Sequence, residues 1–194
     1  MNKVKICILD LGWGNVSSVA TFFLSMGYSY ELINKDKLNS DRFYEIYIIC
    51  GVGSAEAFEL CSDQLVSLKE HVNQAKVVIG FCLGAHFLCE STEESNFAQS
   101  CLKIVPVEVV ALPDNKTNIG YREMHYDADI YRIYHCHSFG IPDFTFESKA
   151  YLEIAGVRFV GIGIFENIVL IQGHPEKSGT DGQRLIRDII NVHT

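Results

Sequence analysis

The sequence lacks a C-x-x-C pair, a run of basic residues and an apolar stretch long enough to cross a bilayer. Each absence removes a class of function. Without C-x-x-C spacing, the seven cysteines (Cys7, Cys50, Cys61, Cys82, Cys89, Cys101 and Cys136) suggest neither a zinc knuckle nor a thioredoxin-like redox motif. Their number is odd and most stand in apolar segments. Buried free thiols in a reducing, cytoplasmic setting are the expectation, with one of the seven open to a role as nucleophile. Without clustered Lys and Arg, and with a formal net charge of -8, binding to a phosphate backbone has no electrostatic footing. The acidic balance suits solubility, or one half of a charge-complementary interface. The apolar stretch that follows Met1–Lys5 is cut by Asp10 and Gly12 and has no small-residue cleavage site. It reads as a buried first strand rather than a membrane anchor or signal peptide.

What is present reads as one α/β domain over 1–194. Hydrophobic residues make up 48% of the chain, enough to build a substantial core, and no repeat, linker or low-complexity segment interrupts it. The first half alternates strand and helix signals. Val4–Leu9, Ser29–Ile33, Ile46–Cys50 and Lys76–Phe81 are expected strands. Val16–Met26, Asp63–Asn73 and Leu83–Glu90 are expected helices, the first closed by Gly27. The uninterrupted apolar character of Ile46–Cys50 fits a strand covered on both faces. This βαβ rhythm implies a mixed, mostly parallel sheet flanked by helices. The second half changes character. Lys103–Leu112, Tyr131–Phe139, Ala150–Ala155, Arg158–Phe165 and Ile168–Gln172 read as strands, Pro113–Lys116 as a turn, and Gly179–Asn191 as a final helix.

Four short motifs carry chemistry. Gly80-Phe81-Cys82-Leu83-Gly84 lies between a buried strand and a helix, in the G-x-nucleophile-x-G pattern with cysteine in place of serine. A thiol there sits at a helix N-terminus, where the dipole favours thiolate, and the Leu83 N–H is placed to donate to an oxyanion. The same residues read equally as a buried structural cysteine beside two turn glycines. His174-Pro175-Glu176 follows the last apolar strand and offers a base with an orienting carboxylate, or else a surface His and Glu at a helix start. Cys50-Gly51-Val52-Gly53 ends another buried strand and exposes backbone N–H groups at the edge where α/β ligand sites form; alone it is an ordinary turn. His135-Cys136-His137 puts two imidazoles on one strand face, but zinc needs further ligands and no convergent spacing supplies them.

Together these segments resemble the class I (triad) glutamine amidotransferases, and most of all the glutaminase subunits of imidazole glycerol-phosphate synthase or their paralogues. Asp10-Leu11-Gly12-Trp13-Gly14-Asn15 is similar to the family's D-x-G-x-G-N opening. Gly51-Val52-Gly53 resembles its oxyanion strand, His137-Ser138-Phe139 its H-S-Y, and His174–Gly179 its H-P-E-K-S-G. The matches keep the family's order from Asp10 to Gly179. The resemblance implies a glutaminase that cuts glutamine with a Cys82–His174–Glu176 triad. It implies an oxyanion site at Leu83 and Gly51, Val52 and Gly53, and substrate contacts from His86, Glu94, His137, Ser138 and Phe139. It implies a (β/α)8-barrel synthase partner in a heterodimer, with ammonia passed to it. Trp13, Asn15, Arg122 and Lys177 would lie at or near that interface. No metal or organic cofactor is implied.

The chain departs from the family pattern at several positions. Cys50 stands where proline is usual before Gly51, His86 where a glutamine is usual, and Arg122 where an asparagine is common. These departures point to a divergent paralogue and keep three alternatives open. One is an amidotransferase subunit feeding sugar amidation in surface-glycan synthesis rather than histidine biosynthesis. The others are a binding subunit that has lost turnover and a stand-alone cysteine hydrolase.

Overall fold

In chain order the main elements are β1 (Ile6–Asp10), α1 (Val16–Ser25), β2 (Tyr30–Asn34), β3 (Ile46–Gly51), α2 (Ser62–Gln74), β4 (Val77–Cys82), α3 (Leu83–Leu88) and β5 (Cys89–Thr92). There follow β6 (Val105–Ala111), β7 (Asn118–Tyr126), β8 (Asp129–His137), β9 (Phe139–Gly140), β10 (Glu147–Ile154), β11 (Val157–Phe165), β12 (Ile168–Ile171) and α4 (Gly179–His193). They come from a computed structural model that describes residues 5–38, 42–95, 101–143 and 147–194, without the side chains of 147–149. Val4, expected to open the first strand, lies outside the described residues.

The continuous apolar runs become the middle of a seven-stranded sheet in the order β10-β11-β12-β4-β3-β1-β2. Every residue of β3, β4 and β12 is buried, which is why these strands show no polar alternation. The five strands from β12 to β2 run parallel, and β11 enters antiparallel between β12 and β10. Alternate residues feed two cores. Ile6, Ile8, Val77, Ile79 and Phe81 face α1, α4 and inward residues of β7 and β8. Cys7, Leu9 and Val78 face α2, α3 and β6. In α4, Leu185, Ile186, Ile189 and Ile190 recur at helical spacing to make the buried stripe.

Two smaller sheets were less legible. The helix expected over Leu83–Glu90 stops at Leu88, because Cys89 turns extended and the chain pairs with β6 as β5. Strand β7 was not expected at all. It is mostly exposed, contains Gly120 in the left-handed region (φ +113°), and owes its existence to a nine-residue ladder with β8. The single strand expected over Tyr131–Phe139 breaks at Ser138 into β8 and β9. Cys61 and Cys136 are exposed, against the expectation of buried thiols; the other five cysteines are buried.

Candidate active site

Strands β4 and β12 are parallel neighbours, paired from Val78–Ile168 to Phe81–Ile171. Cys82 ends the first and His174 lies just past the second, so adjacent strands deliver both to the same sheet edge. Cys82 has φ 48°, ψ -112°, a strained combination for a residue with a side chain. The glycines around it make the turn possible through close packing. A Cβ on Gly80 would come within 2.8 Å of the Ala85 backbone, and one on Gly51 within 2.5 Å of the Leu83 Cβ. A Cβ on Gly84 would collide with the Ile49 carbonyl. Gly51 is also the register partner of Cys82. The expected oxyanion strand and the nucleophile turn are thus pressed together, backbone against backbone.

Cys82 is buried, 6% exposed as a residue. Burial pushes its pKa up to about 12, the Leu83 N–H that reaches the sulfur counters this, and the Glu176 and Glu94 charges add to the rise. The thiolate expected at a helix N-terminus is therefore not the resting form, because desolvation outweighs the favourable amide. A base must remove the proton as the sulfur reacts. On the neighbouring strand end, His174 holds its Nδ1 3.0 Å from Glu176 Oε1, and the two side chains are 3% and 2% exposed. The carboxylate accepts from Nδ1–H, which leaves Nε2 as the basic nitrogen. The turn carrying Glu176 rests on α4 at Gly182, where a Cβ would strike the Pro175 carbonyl.

A cavity of about 240 Å³ opens onto the thiol, lined by Gly53, Cys82, Leu83, His86, Glu94, Thr117, Cys136, His137, Ser138 and Phe139. All five expected substrate contacts line it, and so do Thr117 and Cys136, for which the sequence carried no signal. Its size falls below that of sites for drug-sized ligands and suits a small polar molecule. A larger cleft of about 450 Å³ lies between α1 and the start of α4 and reaches Glu176, but not Cys82. The smaller cavity is the candidate site, because Cys82 opens there.

Within the cavity, several expected contacts are already engaged. His86 Nε2 donates to Gln172 Oε1 at 3.0 Å, so its buried Nδ1 is a lone-pair acceptor, without a partner among the described residues. Burial lowers the His86 pKa to about 4. His137 donates from Nδ1 to the Phe139 carbonyl at 2.7 Å and accepts at Nε2 from Asn118 at 3.0 Å. Its pKa too falls to about 4, chiefly through burial. The ring is a brace between β7 and the β8–β9 junction, with neither nitrogen free for a metal or substrate. His135 shares that face of β8, its ring 5.5 Å from His137, and is fully buried, with neither nitrogen partnered among the described residues. Desolvation lowers its pKa to about 3. Glu94 accepts from the Ala55 N–H and the Ser54 hydroxyl, which ties down the loop after Gly53, and burial raises its pKa.

The four residues expected near a partner interface separate. Trp13 is a core residue rather than a surface one: its ring packs on Phe58 at 4.8 Å and Phe87 at 5.2 Å, and it is buried. The aromatic ring won over the loop position because α3 and the loop after β3 close a pocket around it. Asn15 caps α1 through Ser18. Gly14 (φ +103°) lets this loop lie against Cys50, where a Cβ would come within 2.6 Å of the carbonyl oxygen. Arg122 and Lys177 are exposed. Arg122 folds onto the carbonyls of Tyr121 and Ile119, and the Lys177 Nζ lies 6.0 Å from the Tyr134 ring centroid. Near them, the outer face of β7 and β8 exposes Ile119, Tyr121 and Ile130.

No family model matches the chain. Among curated proteins, it is 30% identical to imidazole glycerol phosphate synthase subunit HisH of Dehalococcoides mccartyi, covering 96% of this chain and 97% of that one. It is 26% identical to the HisH subunit of Buchnera aphidicola, over 96% of this chain and 99% of the relative. Among solved structures, a chain of PurLQS from Thermotoga maritima matches with a TM-score of 0.78 at 14% identity, covering 99% of this chain and all of that one. A protein described as a glutamine amidotransferase matches with a TM-score of 0.76 at 13% identity, over 97% and 98% of the two chains. At such identities the structures speak for the fold, and the curated relatives for the family.

Proposed function

This chain belongs to the family of imidazole glycerol phosphate synthase subunit HisH, a group of class I glutamine amidotransferases, and from that premise we propose how its own residues hydrolyse glutamine and where the ammonia goes. Glutamine enters the cavity with its carboxamide carbon against Cys82 Sγ. His174 takes the thiol proton at Nε2 as sulfur bonds to that carbon. The oxygen that becomes an oxyanion is held by the Leu83 N–H and the Gly51–Gly53 strand. Collapse returns the proton to nitrogen, ammonia leaves, and a glutamyl thioester remains on Cys82. His174 then draws a proton from water, the hydroxide adds, and glutamate departs as the thiol is restored. Glu176 holds one tautomer of His174 and stabilises the imidazolium formed in each half. Glu94 and the Nδ1 of His86 present acceptors suited to the substrate ammonium.

The observation that carries this reading is the strained, buried Cys82 opening onto a small cavity, with a buried His174–Glu176 pair just past the end of the neighbouring strand. The ammonia serves a (β/α)8-barrel synthase subunit; the curated relatives are themselves named as subunits of imidazole glycerol phosphate synthase. The exposed face around Ile119, Tyr121, Arg122 and Lys177 is the docking face. Glutamate release by the purified chain is the test, with and without the barrel homologue of its genome and with Cys82→Ala as control. Release that needs the partner and is lost in Cys82→Ala is expected. No release in either condition, with a complex still forming, would replace this reading with that of a binding subunit. Transfer of nitrogen to a sugar by the partner would move the chain to the glycan branch.

A further inference from the structure

Residues Tyr134 and His174 face each other as an antiparallel bridge between β8 and the turn after β12. Such a hydrogen-bonded pair ordinarily exchanges two direct backbone bonds. Here one is direct: the His174 N–H donates to the Tyr134 carbonyl at 2.8 Å. The other is relayed. The Tyr134 N–H donates to Ser178 Oγ at 2.9 Å, and that hydroxyl donates to the His174 carbonyl at 2.6 Å. Ser178 is buried, so no solvent competes for these bonds. It is also the residue from which α4 springs. One oxygen thus spaces His174 from β8 and ties it to the start of α4.

We propose that Ser178 is a positioning residue for the base: its hydroxyl, inserted into the Tyr134–His174 bridge, sets the distance and angle at which the imidazole meets Cys82. The proposal rests on the glutaminase reading above. Without the hydroxyl, the Tyr134 N–H can reach the His174 carbonyl only if the His174 backbone moves toward β8. Glu176, on the same turn, follows. The binding cavity does not include Ser178, so substrate affinity stands apart from this displacement.

The test compares wild type, Ser178→Ala and Ser178→Thr in the full chain, with its partner present, in steady-state glutamate release. In Ser178→Ala, kcat is expected to fall by about a hundredfold, the scale set by roughly an ångström of misplacement, while KM stays within about twofold. Ser178→Thr, which keeps the hydroxyl, is expected to recover most of kcat. Should Ser178→Ala fail to fold by circular dichroism, Ser178→Cys takes its place, since a thiol is a longer and weaker relay. The same selective loss of kcat is then expected. Wild-type kcat in a folded Ser178→Ala or Ser178→Cys, or a loss confined to KM, would overturn the proposal while leaving the glutaminase reading intact. No glutamate from wild type would overturn that reading, and the clamp with it.

Discussion

Gly84 and Ile49 touch through their backbones, the α-carbon of one lying against the carbonyl of the other with no room for a methyl group. Helix α3, which begins at the nucleophile, therefore leans directly on the strand expected to shape the oxyanion site. Gly84→Ala must push the two apart. Overpacking of this kind destabilises by about 1–3 kcal/mol. Thermal melting should register that loss, and glutamate release should fall even where the variant remains folded. Unchanged activity would mean that the contact between α3 and β3 is not what sets the oxyanion geometry.

The Glu176 carboxylate accepts from His174 at 3.0 Å, with both side chains nearly buried. Glu176→Gln retains an acceptor oxygen and loses the charge that stabilises imidazolium. Glu176→Ala loses both. The expected order of kcat is wild type, then Gln, then Ala, with Ala down by about a hundredfold or more, the usual scale for general-base work. Equal activity in all three would remove Glu176 from the mechanism.

Acid should weaken the fold in a defined window. Burial lowers His86 and His137 to about 4 and His135 to about 3, against an ordinary value of 6.5. From pH 6.5 down to about 4, the unfolded chain binds protons that the folded chain refuses, so stability rises with pH across that range and is lost on acidification. Each such histidine contributes a slope of up to about 1.4 kcal/mol per pH unit. Urea midpoints across the window should fall with pH, and His86→Gln should flatten the profile by its share. A flat wild-type profile would contradict the neutral, buried state of these rings.

The cysteines should react in the order of their access. Cys61 and Cys136 are exposed, whereas Cys82 is buried and held as a thiol with its pKa near 12. Iodoacetamide at neutral pH should mark the first two well before Cys82, as read by peptide mass spectrometry. Early, selective alkylation of Cys82 would show that the resting thiolate forms after all.

Much of this could be read from the chain because the informative residues obey local rules. The uninterrupted apolar run of β3 marked a strand covered on both faces, and glycines on either side of Cys82 marked a turn that packing then explained. The family's five substrate positions all line one cavity. What escaped notice depends on partners distant in sequence. Strand β7 exists only through β8, and β5 only through β6. Trp13 stands in a loop that reads as surface until Phe58 and Phe87 enclose it. The preference of the Cys82 helix position for thiolate was sound locally and lost to burial, which no local pattern reports. Ser178 lies within a motif and Gln172 just before it, and only their hydrogen bonds show what each polar side chain holds.

The nucleophile and the base leave neighbouring, parallel strands of the central sheet, held in register by the ladder between β4 and β12. The ladder fixes where the two strands end, and the Ser178 link to β8 sets the last step, from the end of β12 to the imidazole. Insertions at the β7–β8 hairpin turn or along edge strand β10 can accumulate without moving either group. The chain is free to diversify its outer surface, and with it the company it keeps, at little risk to its reaction. A single shift in the pairing of β4 with β12 would send the side chains of one core into the other and end that freedom at once.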